Sequence, residues 1–343
     1  MTAASGPRRR VRGRGSAALS GDLVTETVHD EAPFLLELTA SVADLDLGSW
    51  LARHRERVDR ELRERGAVLL RGFAVDGPAG FGRAARTPGT DLLGYLERAA
   101  PRTQVADGVF TSTELNQDLP IPLHHEMSYS HNWPSVLYFY CASPAPDGGA
   151  TPLASERTVT PRIPAQLRER FTRYGVQYVR NYGPDLDLPW QDAFQTTDRA
   201  SVAAYCEATR TDYRWTGPDG LRTRATRQAM ATHPRTGDVV WFNHAHVFHV
   251  SNLPADVAAG LLSAVGPDGL PRNAYYGDGT PIESEALEVI RGLYRAAAIE
   301  FPWRVGDVLA LDNFLVAHGR TPFHGDRRVF VAMSDLYVNR ALA

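Results

Sequence analysis

Three side chains that could bind a metal ion or move protons stand together at His124, His125 and Glu126, within the segment PLHHEMSYSHNWP. The turn-prone stretch LNQDLPIP precedes them and the apolar run SVLYFYCA follows, so they lie at the edge of a predicted strand, where functional side chains are commonly mounted. Side chains alternate between the two faces of an extended segment. We therefore expect His124 and Glu126 to converge and His125 to point away.

One imidazole and one carboxylate do not hold a metal ion alone, so a third ligand must come from elsewhere. The candidate is His318, between a strand that ends at LDN and another that begins at Arg327 and Arg328. Two histidines and one carboxylate on a face of a β-barrel form the facial triad of non-haem iron oxygenases. Catalytic zinc fits three protein ligands equally well, and unconnected polar residues are a further interpretation in a chain with 11 histidines.

Strands predominate among the elements that must position these side chains. The stretch SWLARHRERVDRELRERG predicts a helix that ends at Gly66, and AVLLRGF predicts a buried strand. Short strands follow from about residue 175, including GVQYVRNY, LRTRATR, NAYYG and RRVFVAMSD, with the helix SEALEVIRGLYRAAAIE among them. Many short strands with a few helices predict an antiparallel sandwich or barrel with helices outside.

The composition is that of an ordinary globular protein of 343 residues, 43% hydrophobic and 22% charged. No apolar run reaches the length of a membrane span, and two cysteines, Cys141 and Cys206, indicate a reducing cytoplasm rather than a disulfide framework. The stretch MTAASGPRRRVRGRG holds five arginines and no acid, on a body that is otherwise acidic. We expect a disordered tail over residues 1–20 and a single domain over 21–343, with neither nucleic acid nor membrane as a partner.

Several motifs in succession resemble one known superfamily. The segments LHHEMSYSHNWPSVLYFYC, DGGATPLASERTV, VVWFN and GDVLALDNFLVAHGRTPFHGDRRV are similar to the taurine dioxygenase (TauD/TfdA) and clavaminate synthase-like superfamily, over about residues 50 to 335. The resemblance is greatest to the branch associated with amino-acid tailoring in natural-product biosynthesis. It implies a mainly β fold, a double-stranded β-helix (jelly roll) with flanking helices, that uses Fe(II), 2-oxoglutarate and O2.

The activity that this resemblance implies is oxidation of an unactivated C–H bond, foremost hydroxylation, of an amino acid that is free or tethered to a carrier protein. The same cofactors support desaturation, cyclisation or oxidative decarboxylation in related enzymes. A jelly-roll binding protein without turnover is the non-enzymatic alternative.

The resemblance also assigns residues. His124, Glu126 and His318 match the iron ligands, and Thr151 matches the threonine that hydrogen-bonds the distal carboxylate of 2-oxoglutarate. Arg328 matches the arginine that pairs with that carboxylate in a fork that lysine does not reproduce.

Arg327 is the competing candidate for this arginine, because strand alternation sends two neighbours in opposite directions and only one reaches the pocket. For the substrate pocket we predict Asn243 and His246, from WFNHAHVFH. His125 either lines that pocket or has a structural role.

Overall fold

The computed structural model of this chain describes residues 9–10, 23–86, 91–183 and 187–340. The predicted disordered tail, residues 1–20, lies outside the described residues except for Arg9–Arg10, whose backbone pairs in parallel with Ile299–Glu300. The division into a tail and one domain therefore stays a prediction.

The described chain alternates short strands with helices. The strands are β1 (Arg9–Arg10), β2 (Val24–His29), β3 (Ala32–Ala40), β4 (Ala67–Arg71), β5 (Gln104–Ala106), β6 (Val109–Thr111), β7 (Ile121–His124), β8 (Trp133–Ser143), β9 (Asp147–Gly148), β10 (Leu153–Ser155), β11 (Val176–Tyr182), β12 (Asp212–Trp215), β13 (Leu221–Arg227), β14 (Met230–Thr232), β15 (Val239–Trp241), β16 (Arg272–Tyr276), β17 (Ile299–Glu300), β18 (Val308–Asp312), β19 (Val316–Arg320), β20 (Phe323–His324) and β21 (Arg328–Tyr337).

The α-helices are α1 (Leu47–Arg65), α2 (Gly77–Ala85), α3 (Glu156–Val159), α4 (Ala165–Tyr174), α5 (Trp190–Phe194), α6 (Arg199–Ala208), α7 (Ala245–Phe248), α8 (Ala255–Val265) and α9 (Ser284–Ala297). Short 3-10 helices cover Thr160–Arg162, Val250–Asn252 and Pro267–Gly269. No helix in the described part of the chain is long and apolar enough to cross a membrane.

Two sheets form the frame of the molecule. One has eight strands in the order β2-β3-β4-β18-β8-β21-β6-β5, and the other has five in the order β1-β17-β10-β19-β7. One hydrophobic cluster joins them, with Phe139, Leu311 and Val331 from the large sheet and Leu153 and Val316 from the smaller one. The predicted strand-rich sandwich with flanking helices is confirmed.

Helix α1 shows how local sequence produces these elements. Its N-cap Asp46 accepts a hydrogen bond from the Ser49 N–H at 2.8 Å, and Gly66 ends it in the left-handed conformation with φ 111°. Trp50 and Val58 lie on its apolar face and belong to the hydrophobic cluster that includes β4. The helix, its glycine cap and the buried strand after it follow the sequence prediction.

Candidate metal centre

Strand pairing brings the two histidines of the site together. His318 on β19 is the direct partner of His124 at the end of β7, and their ring centroids are 4.5 Å apart. Gly319 permits this approach, because a Cβ there would lie 2.6 Å from the carbonyl oxygen of Ile121. Any larger residue at position 319 would push the two strands apart.

Glu126 reaches the histidines through a turn. β7 ends at His124, and the chain turns through Met127, whose φ is 56°. Asn313 fixes the turn, since its Oδ1 accepts from the Glu126 N–H at 2.9 Å and its Nδ2 donates to the Glu126 carbonyl at 3.0 Å. The convergence of His124 and Glu126 follows the prediction, and the regular strand ends at His124, before Glu126.

The donor set fits a divalent metal ion. One ligand atom from each of His124, Glu126 and His318 lies within 4.8 Å of the others, and no second such group of His, Cys, Asp or Glu occurs in the described ranges. The Nδ1–H of His124 donates to the Pro122 carbonyl at 2.8 Å, so its Nε2 keeps a lone pair for a metal.

The site is held in the protonation state that a metal requires. Burial, with the nearby His318, lowers the pKa of His124 to about 3, and burial also lowers the pKa of His318. Burial opposes ionisation of Glu126, but the positive charge of Arg102 and the hydrogen bond with His318 outweigh it and lower its pKa to about 2. At neutral pH all three side chains are therefore free of the protons that would compete with a metal.

A cavity borders both histidines, and one of the two residues predicted to bind the cosubstrate lines it. Thr151 and Arg327 line it, together with Arg102 and Arg320. Arg328 does not: its side chain is 66% exposed and lies 3.1 Å from Asp326. The assignment of Arg328 to the pocket is wrong, and Arg327 faces the cavity.

The local backbone explains this one-residue correction. Arg327 lies just before β21, and both it and Val329, two positions later, line the cavity, so regular alternation places Arg328 on the opposite face. The Nε of Arg327 donates to the Gly149 carbonyl at 2.9 Å. A Cβ on Gly149, whose φ is 68°, would lie 2.9 Å from the Cδ of Arg327, so the glycine makes room for the arginine. Burial and the charge of Arg320 lower the pKa of Arg327 to about 10, so it remains a cation at neutral pH.

Thr151 is oriented by a residue that the sequence analysis did not identify. The indole Nε1–H of Trp303 donates to the Thr151 Oγ1 at 3.0 Å. Because an indole nitrogen only donates, the Thr151 hydroxyl keeps its own proton for another acceptor. Thr151 and Arg327 together supply the hydroxyl and guanidinium donors that an anionic carboxylate needs.

His125 does not line this cavity. It is fully buried, with Nδ1 donating to the Asn313 carbonyl at 2.6 Å and Nε2 hydrogen-bonded to Glu156 Oε1 at 3.0 Å. Glu156 also accepts from the Tyr294 hydroxyl at 2.6 Å. The structural role for His125 is therefore the correct alternative, since this network anchors the segment between the two metal-ligand positions.

Asn243 and His246 are also placed away from the cavity, contrary to the prediction. Asn243 Nδ2 donates to the Ala229 carbonyl at 2.9 Å. His246 Nε2 donates to the Leu123 carbonyl at 2.8 Å, and its ring stacks on Tyr294 with centroids 5.0 Å apart. Both side chains are buried structural groups, which a polar motif in the sequence does not distinguish from a substrate contact.

A strand-rich sandwich that holds a His-Glu-His cluster is the arrangement typical of Fe(II)/2-oxoglutarate-dependent oxygenases. The family model described as "Taurine catabolism dioxygenase TauD, TfdA family" matches residues 31–333, and the chain belongs to that family. It is an Fe(II)/2-oxoglutarate-dependent dioxygenase with a double-stranded β-helix fold, so the predicted fold class, enzyme class and cofactors are confirmed.

Individual relatives cover most of the chain. It is 38% identical to the dapdiamide synthesis protein DdaC of Enterobacter agglomerans over 89% of this chain and 92% of the relative. It is 31% identical to a clavaminate synthase-like protein of Arabidopsis thaliana over 80% of this chain and 83% of the relative. The PvcB structure from Pseudomonas aeruginosa is similar in fold, with a TM-score of 0.55, 17% identity and 94% coverage of both chains.

Proposed function

We propose that this dioxygenase oxidises an unactivated C–H bond of an amino acid or amino-acid derivative in secondary metabolism, foremost by hydroxylation. The observation that carries the proposal is the cavity where the ligand group of His124, Glu126 and His318 meets Thr151 and Arg327. The relationship to DdaC, a dapdiamide synthesis protein, supports the amino-acid substrate class.

The residues have separate tasks in this proposal. His124, Glu126 and His318 hold Fe(II), and Arg327 and Thr151 bind the distal carboxylate of 2-oxoglutarate. Iron, 2-oxoglutarate and O2 together supply the oxidising chemistry, in which 2-oxoglutarate becomes succinate and carbon dioxide. The protein contributes preorganised ligands and a largely buried site, so the bound groups meet in a fixed geometry.

The proposal extends to the form of the substrate, the reaction outcome and the cellular compartment. The substrate is either free or presented on a carrier protein, and desaturation, cyclisation and oxidative decarboxylation are the alternative outcomes with the same cofactors. We also propose that the enzyme works in the cytoplasm as a single catalytic domain. The buried free thiols of Cys141 and Cys206 agree with a reducing compartment.

The test is incubation of purified enzyme with Fe(II), ascorbate, 2-oxoglutarate and a panel of amino acids, their N-acyl derivatives and their carrier-tethered thioesters. Mass spectrometry should detect the gain of one oxygen, and succinate should form in step with product. The variant His318→Ala is the matched control and should form neither. Product without consumption of 2-oxoglutarate, or equal product from the control, would contradict the proposed function.

A further inference from the structure

Arg102 lies beside the metal centre and was not singled out by the sequence. Its side chain is 8% exposed, and its Nη2 lies 3.2 Å from Glu126 Oε2. The guanidinium lies over the ring of Tyr95, 4.5 Å from the ring centroid. Arg102 also lines the cavity that contains His124 and His318. A cation is thus held within reach of whatever binds next to the iron position.

The hydrogen-bonding capacity of Arg102 is largely unused. A guanidinium carries five N–H donors, yet among the described residues Arg102 donates only through Nη2, to Glu126. Arg320, in the same cavity, donates instead to four backbone carbonyls. Buried donors without partners are costly, which favours a polar ligand here.

The charge balance indicates that this ligand is an anion. When Glu126 binds Fe(II), its negative charge is shared with the metal and no longer compensates Arg102 alone. Fe(II) and the three cavity arginines, Arg102, Arg320 and Arg327, together carry more positive charge than Glu126 and the two carboxylates of 2-oxoglutarate balance. Glu114 also acts on Arg102 through space, but it is exposed and accepts a hydrogen bond from the Thr111 hydroxyl, so it does not take the place of this ligand.

We propose that Arg102 binds the carboxylate of the substrate, so that the substrate enters as a free acid and not as an amide or thioester at that group. This inference rests on the proposed function and narrows its substrate class. A guanidinium pairs with a carboxylate through parallel hydrogen bonds, and a neutral carbonyl group provides neither the charge nor the second acceptor oxygen. Arg327 and Thr151 remain with the cosubstrate, while Arg102 selects the substrate.

The test measures binding without turnover. Enzyme loaded anaerobically with Fe(II) and 2-oxoglutarate is titrated with free L-amino acids, their N-acyl derivatives and the matching primary amides, and the change in the visible absorption of the chelate gives a Kd. In the wild type, one or more acids should bind at least about tenfold more tightly than the matching amide. Arg102→Gln should weaken binding of the acid by about 10- to 150-fold and leave the amide unchanged. Arg102→Lys keeps the charge, so its Kd for the acid should lie between the values of the wild type and of Arg102→Gln.

The control is Arg328→Gln, which removes an exposed arginine and should leave every Kd unchanged. Equal binding of acids and amides to the wild type, or binding of neither, would overturn the proposal without any variant. A loss of Fe(II) or 2-oxoglutarate affinity in Arg102→Gln as large as its loss of acid affinity would also overturn it, because Arg102 would then serve Glu126 or the cosubstrate. Failure of the wild type to form the chelate would instead contradict the proposed function.

Discussion

The neighbours Arg327 and Arg328 offer a matched pair for testing how 2-oxoglutarate is held. Arg327 lines the cavity with Thr151, whereas the side chain of Arg328 is 66% exposed. Arg327→Lys replaces a planar fork by a point charge and loses a charge-assisted hydrogen bond, which is typically worth about 1.5–3 kcal/mol. We expect the Kd for 2-oxoglutarate to rise by about 10- to 150-fold. Arg328→Lys alters only a surface ion pair worth about 0–1 kcal/mol and should leave that Kd within about twofold.

The assay is anaerobic titration of 2-oxoglutarate into enzyme loaded with Fe(II), followed by the visible charge-transfer band of the chelate. Thermal unfolding of both variants serves as the control for folding. A large loss of affinity in Arg328→Lys with none in Arg327→Lys would refute the assignment of Arg327 to the cavity. Equal losses in both variants would show that strand alternation at the start of β21 does not separate the two side chains.

Further predictions follow from the contacts around the site. Trp303→Phe removes the hydrogen bond that orients the Thr151 hydroxyl, so the Kd for 2-oxoglutarate should rise by about 2- to 10-fold. In a Thr151→Val background the same substitution should have little further effect, and additive effects would contradict the contact. Asn313→Ala frees the backbone turn of Glu126 and should lower Fe(II) affinity by about 10- to 100-fold in a metal titration, while unchanged affinity would refute this support. Burial lowers the pKa of His246 to about 4, so the folded protein favours the neutral imidazole. The stability that this residue contributes above pH 6.5 should therefore be lost as the pH falls toward 4. In urea unfolding of metal-free protein, this residue should lower the free energy of unfolding by up to about 1.4 kcal/mol for each pH unit of acidification. His246→Gln should reduce this dependence of the unfolding free energy on pH.

Much of the fold was predictable because it depends on local patterns. Helix α1 has an apolar face and a glycine cap, and β4 and β21 are runs of strand-forming residues. The metal cluster was predictable because several motifs in succession, including those that hold His124, Glu126 and His318, resemble one superfamily. The pairing of His124 with His318 across β7 and β19 then followed from the fold.

The errors arose where tertiary structure decides the outcome. Alternation alone predicts that Arg327 and Arg328 point in opposite directions, and the packing of β21 in the fold decides that Arg327, like Val329, faces the cavity. Long-range contacts bring Trp303 to Thr151 and Arg102 to Glu126 across large sequence separations, and no motif marks either contact.

The central claim is that His124, Glu126 and His318 hold Fe(II) together with 2-oxoglutarate, and anaerobic visible absorption tests it most directly. Wild-type enzyme with both additions should show the charge-transfer band of the chelate, and His318→Ala should lose it because two ligands do not maintain the facial geometry. His324→Ala is the control, since that histidine is 69% exposed and should be replaced without effect. A band of normal intensity in His318→Ala, or its absence from the wild type, would contradict the account.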